Sequence, residues 1–136
     1  MLTDTLIATV LGLPLSVRLA LLDADPTGAG WAIYGSVAVI HRSHAYGREM
    51  LRRIRTGQAA WLPANPLVVL SVASDIYSQT ARGRDCWPHA ARAIGRKWVL
   101  YLMATDANGE SRAVVSAENV DPLAAAVEVL REVCRG

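Results

Sequence analysis

The sequence predicts a mixed α/β fold, shading to α+β, with a small sheet of about four strands packed with three to four helices. Three observations lead to this fold class: an apolar stripe at helical spacing, a short β-branched run, and a hairpin turn followed by a capped helix. Segments typical of strands alternate with segments typical of helices, so a partly parallel sheet with right-handed crossovers is expected. A length of 136 residues suits one globular domain, residues 1–136.

The N-terminal segment predicts a short helix that begins after Thr3 or Asp4 and ends at Gly12 and Pro14. Apolar residues then alternate from Leu15 to Leu22, which favours a strand, although a helix fits the composition nearly as well. The stretch 23–30 contains Pro and two Gly residues and is expected to be a loop.

One apolar stripe predicts a long central helix in the first half of the chain. Its members recur at alternating spacings of four and three residues: Ile33, Val37, Ile40, His44, Gly47, Leu51 and Ile54. Gly57 is the expected end of this helix.

The middle of the chain predicts a buried strand, a loop and a helix. The run from Leu67 to Ala73 is short, apolar and β-branched, which favours a strand buried on both faces. The polar stretch from Ser74 to Asp85 is expected to be a loop. A helix is expected to begin near Cys86 to Pro88 and to end at Gly95.

The C-terminal third predicts a β-hairpin and then a helix. Residues 98–104 and 111–117 flank Asn108-Gly109, the residue pair most typical of a hairpin turn. Asp121 is expected to cap the last helix, with Pro122 at its first position. The residues expected on its buried face are Leu123, Val127, Leu130 and Cys134.

The composition limits the class of protein. Only two cysteines are present, which excludes a disulfide-dense secreted scaffold. The apolar N-terminus has no basic residue before it, and the longest uncharged run contains Pro and Gly, so we expect neither a signal peptide nor a membrane span. A cytoplasmic location follows as the expectation. The apolar fraction of 52% also favours a homodimer that hides surplus apolar surface.

The charge is unevenly distributed along the chain. Residues 41–97 hold ten basic residues against three acidic ones, whereas the segments on either side are both net acidic. A basic middle between acidic ends favours an anionic partner, with nucleic acid as the leading example, or self-association through opposite charges.

An anion-binding site is predicted in this basic middle. Arginines spaced at helical intervals can contact successive phosphates, and a loop after a buried strand is where ligands bind in open α/β sheets. The candidate residues are His41, Arg48, Arg52, Arg55, Ser74, Ser78, Thr80, Arg82 and Arg84. The alternative is a solvated helix face and a plain connecting loop in an arginine-rich chain.

Two other motifs are less specific indicators of a functional site. Cys86 and His89 lie three residues apart near a predicted helix start, where a thiol becomes more acidic, but the second half of a metal site is missing. Four aromatic residues interleave with the basic segment and could stack on bases: Trp61, Tyr77, Trp87 and Trp98. No catalytic residue, cofactor or metal is predicted.

Three functions remain open at this point. The leading one is a non-enzymatic binding module for an anionic partner, most plausibly nucleic acid. The second is a protein-interaction or regulatory domain that acts as a homodimer. The third is a small enzyme acting on a phosphorylated or carboxylated metabolite, with Asp75, Cys86 or His89 as reactive groups.

Overall fold

The computed structural model describes residues 2–41, 47–80 and 85–135. Within these ranges it has five helices and two three-stranded antiparallel sheets, which confirms the mixed α/β class. The predicted four-stranded, partly parallel sheet is wrong, because both sheets are purely antiparallel. The chain divides into two compact units, Met1–Val68 and Val69–Gly136, and the single-domain organisation stays a prediction.

Two short helices open the first unit. Helix α1 spans Asp4–Leu11, and the hydroxyl of Thr3 accepts a hydrogen bond from the backbone N–H of Leu6 at 3.1 Å, as expected of an N-cap. Helix α2 spans Leu15–Ala24, so the favoured strand is wrong there. Its buried residues Val17, Leu21 and Leu22 share one helical face, which alternation along the sequence obscured.

The first sheet comes from the segment that predicted the long central helix. Strands β1 (Gly30–Tyr34), β2 (Val37–His41) and β3 (Ala60–Pro63) form a sheet in the order β2-β1-β3. A two-residue turn joins β1 to β2, and Gly35 adopts φ +59°, as in a type II′ hairpin turn. The long helix is therefore wrong, and its only described helical part is α3, Arg48–Arg55.

The core of the first unit fixes α3 to the rest of the fold. Its fully buried members come from α2, β1, α3, β3 and the residue before β3, and are Leu22, Ala32, Ile54, Ala59 and Trp61. Ile54 is the one buried residue that α3 contributes, whereas Met50 and Leu51 pack half-buried against this cluster. The position of the basic helix therefore depends largely on Ile54.

Helix α4, Pro66–Ser78, replaces both the predicted buried strand and the first part of the predicted loop. The side chain of Asn65 accepts a hydrogen bond from the N–H of Leu67 at 3.0 Å, and Pro66 occupies the first helical position. The buried residues Val69, Leu70, Val72 and Ala73 cover a wide sector of the helix. This wide burial explains the continuous apolar run that resembled a strand.

The second unit holds a meander of three strands. These are β4 (Trp87–Arg92), β5 (Trp98–Thr105) and β6 (Ser111–Asn119), in the order β4-β5-β6. The predicted hairpin at Asn108-Gly109 is confirmed, whereas the helix predicted from Cys86 to Gly95 is wrong because β4 occupies that segment. Helix α5 (Pro122–Arg135) packs against β5 and β6 and is capped by Asp121, as predicted.

Candidate functional site

Helix α3 presents the arginines that the sequence singled out. Arg48, Arg52 and Arg55 are exposed, and the helix carries four arginines against a single acidic residue, Glu49. The side chains of Arg52 and Arg55 are 54% and 58% accessible. Helix α3 therefore has an exposed, net basic surface.

Ion pairs on the helix reduce the charge that is free to meet a ligand. Glu49 accepts hydrogen bonds from Arg52 at 2.7 and 3.1 Å and from Arg53 at 3.2 Å. The hydrogen bonds from Arg52 and then Arg53 lower the pKa of Glu49 to about 2, and the bond to Glu49 raises the pKa of Arg52. Arg55 lies 3.9 Å from a carboxylate oxygen of Asp23, at the limit of an ion pair. Arg48 is thus the arginine of this helix that makes no ion pair with another described residue.

The hydroxyl groups of the predicted anion site donate their protons to backbone carbonyls. Ser74 is buried in α4 and donates to the carbonyl of Cys86 at 3.0 Å. Ser78 donates to the carbonyl of Ser74 at 2.8 Å, and Thr80 donates to that of Tyr77 at 2.7 Å. These bonds hold the end of α4 and the start of β4, so the three donors have structural partners.

The predicted site residues are divided between the two units. The α3 arginines lie in the first unit, and Ser74, Ser78 and Thr80 lie in the second. Arg82, Arg84 and the side chain of His41 lie outside the described residues.

The pair Cys86 and His89 does not lie at the helix start that the sequence predicted. Cys86 directly precedes strand β4, and His89 lies within it. The ring of His89 lies 5.0 Å from the ring of Tyr101 on the neighbouring strand. Both cysteines are free, and burial raises the pKa of Cys134. Among the described residues no group of three or more His, Cys, Asp or Glu side chains could hold a metal ion.

The aromatic residues do not form one stacking surface. Trp61 is fully buried in the core of the first unit. Trp98 lies in β5 with the guanidinium of Arg92 5.2 Å above its ring. Trp87 is the tryptophan with a large exposed fraction, 37%. Base stacking by the whole aromatic set is therefore not available in this arrangement.

The sheet of the first unit has an exposed apolar edge that sequence reasoning missed. Strand β2 lies at one edge, and Val37, Val39 and Ile40 are 50%, 37% and 66% exposed. These side chains lie on both faces of the strand, since neighbouring residues point to opposite faces. No charged residue occurs between Gly28 and Ile40. The β-branched residues after Gly35 are the available signal for this strand, although Val37 and Ile40 also fit the helical stripe.

Two residues of β2 have outward backbone groups with no strand partner in the part of the chain that the structure describes. The turn makes Tyr34 and Val37 a hydrogen-bonded pair, so Val37 and Val39 face β1 with their polar backbone groups. The N–H and C=O groups of Ala38 and Ile40 consequently point away from β1. The opposite edge, β3, ends in Pro63 and is buried along its whole length. Pro63 has no N–H to donate, so β2 is the edge better suited to accept a further strand.

No known protein family, curated protein or solved structure matches the chain. Within the described ranges, no single helix has the length and apolar composition of a membrane span, although α1 and α2 reach that limit as a pair bent by 108°.

Proposed function

We propose that this protein is a protein-interaction domain that forms a homodimer by antiparallel pairing of β2 with β2 of a second copy. The observation that supports this is the open edge of β2, with three large apolar side chains exposed on an uncharged strand. Such an edge favours pairing with another strand, because its outward backbone groups have no strand partner among the described residues and its apolar side chains are exposed. A second copy of the chain pairs with these backbone groups and covers these side chains through one self-complementary surface.

The register of this pairing follows from which backbone groups are free. A twofold axis at Val39 places Ala38 of one copy opposite Ile40 of the other. Each of the two Ala38–Ile40 pairs exchanges two hydrogen bonds, since both residues point their N–H and C=O groups outward. The large Ile40 side chain then lies beside the small Ala38 side chain, so the two strands are complementary in size.

Charge does not oppose the proposed pairing. The hairpin of β1 and β2 carries no formal charge up to Ile40, so no like charges meet at the axis. The basic helix α3 packs against α2 and β3, and β3 lies on the far side of β1 from β2. In the proposed dimer the β3 strands of the two copies are five strand spacings apart, about 24 Å, so the α3 helices that pack against them lie well beyond the Debye length of roughly 8 Å from each other.

The dimer is expected to be weak. Stable interfaces bury roughly 800 Å² per partner, and two five-residue strands with their flanking side chains bury less than that. We therefore expect a dissociation constant in the range of about 10 to 100 µM.

Sedimentation velocity over a concentration series of about 1 to 300 µM tests this proposal. The wild-type chain should shift from monomer to dimer, whereas Ile40→Lys should stay monomeric because a lysine at a strand edge opposes pairing. Ile94→Lys is the matched control, since Ile94 is fully exposed in the connection between β4 and β5 of the second unit. The proposal is overturned by a wild-type chain that stays monomeric throughout, or by equal loss of the dimer in both variants.

A second function is supported by the exposed arginines of α3. We propose that this helix binds an anionic partner, with nucleic acid as the leading example, through Arg48, Arg52 and Arg55. Binding would be largely independent of sequence and steeply dependent on salt, since the contacts are to phosphates. Because Glu49 holds Arg52 and Arg53, it limits the charge that α3 offers.

Fluorescence anisotropy with labelled single- and double-stranded DNA and RNA tests this second function. Glu49→Gln should strengthen binding because it frees two arginines, and the double variant Arg48→Gln/Arg55→Gln should weaken it. Arg135→Gln serves as a control, since Arg135 is exposed and pairs with Glu132 on α5. No binding at low salt, or equal weakening by the control, refutes the role of α3.

A further inference from the structure

A cavity of about 590 Å³ opens in the second unit at the end of the sheet where β5 turns into β6. Tyr77 of α4 forms one wall, and Thr105, Asp106 and Arg112 provide polar groups. Small apolar residues, including Ala107 and Ala113, line the remainder. The volume lies within the range of roughly 300 to 1,000 Å³ that small-molecule sites occupy. The residues expected for a small enzyme, Asp75, Cys86 and His89, lie elsewhere.

Among the described residues that line the cavity, one side chain is cationic and one is anionic. Arg112 and Asp106 both line it, and neither makes an ion pair with another described side chain. The Oδ1 atom of Asp106 accepts hydrogen bonds from the N–H groups of Asn108 at 2.8 Å and Glu110 at 3.0 Å. Its Oδ2 atom accepts no hydrogen bond from the described residues. A cation and an anion therefore remain free beside the same cavity.

The backbone around the cavity is fixed by local structure. The Asp106 side chain closes the hairpin turn. The backbone N–H of Asp106 also donates to the carbonyl of Glu110 at 2.8 Å. Next to this turn a β-bulge lies opposite Leu102 and Met103, where Val114 is the extra residue of β6. Bulges redirect side chains and are frequent beside binding sites. Asp106 therefore lies in a turn closed by local hydrogen bonds, and Arg112 lies in β6 between this turn and the bulge.

We propose that this cavity binds a zwitterionic small molecule of the amino-acid class. The guanidinium of Arg112 binds the carboxylate of the ligand, and Oδ2 of Asp106 accepts a hydrogen bond from its ammonium group. The ring of Tyr77 and the small residues of the wall contact an apolar ligand side chain. A purely anionic ligand is disfavoured because Asp106 would repel it. This site is independent of the β2 edge and of α3.

The proposal is tested by adding the twenty standard L-amino acids to ¹⁵N-labelled protein and recording chemical-shift changes at Ala107 and Ala113. An apolar or aromatic amino acid, with L-phenylalanine as the first probe, should shift these signals in a saturable manner. The single-charge analogues 3-phenylpropionate and 2-phenylethylamine should bind at least about tenfold more weakly, because each loses one charged contact. Equal binding of either analogue, or the absence of a saturable shift with all twenty amino acids, overturns the proposal.

Variants separate the two charged contacts from the fold itself. Arg112→Gln and Asp106→Asn should each weaken L-phenylalanine binding at least about tenfold. Asparagine retains the oxygen that closes the turn, so the hairpin should persist and the remaining spectrum should stay unchanged. Arg96→Gln, at the other end of the sheet, is the control and should bind as the wild type does. Unchanged binding in Arg112→Gln refutes the assignment of the carboxylate contact.

Discussion

Truncation of Ile54 should detach the basic helix from the first unit. Ile54 is fully buried and contacts a cluster that includes Leu22 and Trp61. Ile54→Ala removes three carbon atoms, worth about 0.8 kcal/mol each in transfer free energy, and the remaining cavity adds to this cost. We expect a loss of about 3 kcal/mol in the free energy of unfolding, and about 1 kcal/mol for the milder Ile54→Val.

The loss of stability in Ile54→Ala should be localised in α3. A helix of eight residues is marginal without tertiary contacts, so α3 should open when its one buried residue is truncated. Urea unfolding measures the free energy, and amide hydrogen exchange over residues 48–55 measures the opening of the helix. A cost below about 1 kcal/mol for Ile54→Ala, with α3 still protected from exchange, would refute the account of how this helix is held.

Three further predictions concern local structure. Gly30→Ala should cost about 2 kcal/mol in urea unfolding, because the added Cβ would lie 2.6 Å from a ring carbon of Trp61. Ser74→Ala should cost about 1 kcal/mol in the same assay, since the carbonyl of Cys86 loses the hydroxyl of the buried Ser74 as its hydrogen-bond donor. The lowered pKa of Glu49 means that its ionised form stabilises the fold above pH 4.5, and this contribution is lost as the pH falls towards 2. Thermal unfolding across that range should therefore show a small acid destabilisation that is reduced in Glu49→Gln.

Helix α1, the β5–β6 hairpin and helix α5 could be predicted because the residues that indicate them act locally. Thr3 and Asp121 act as helix caps through their own side chains, and Pro122 suits the first turn of α5. The Asn108-Gly109 turn fixes the β5–β6 hairpin within a few residues. Such signals depend on contacts between sequence neighbours and survive in any tertiary context.

The middle of the chain could not be predicted because the spacing of its apolar residues is compatible with both a helix and strands. Ile33, Val37 and Ile40 fit a helical stripe, yet the same segment alternates as strands on either side of Gly35. The positive φ of Gly35 favours the hairpin, and this cannot be read from a glycine alone. The run from Leu67 to Ala73 became helical because α4 is buried over a wide sector.

The candidate binding surfaces also differ in how far the sequence predicts them. The exposed arginines of α3 were predictable because their spacing on a helix follows from the sequence. The apolar edge of β2 was not, because it depends on the strand order β2-β1-β3, which is set by contacts between distant residues. The cavity at Asp106 and Arg112 likewise requires α4 to bring Tyr77 to the β5–β6 turn.

Amide hydrogen exchange resolved by residue, recorded at low and high protein concentration, tests the pairing of β2 most directly. Val37 and Val39 should be protected at both concentrations, because their N–H groups pair with β1. Ala38 and Ile40 should exchange freely in dilute solution and become protected as the concentration rises, because their N–H groups bond to the second copy. Exchange of Ala38 and Ile40 that stays equally fast at every concentration would contradict the proposed dimer.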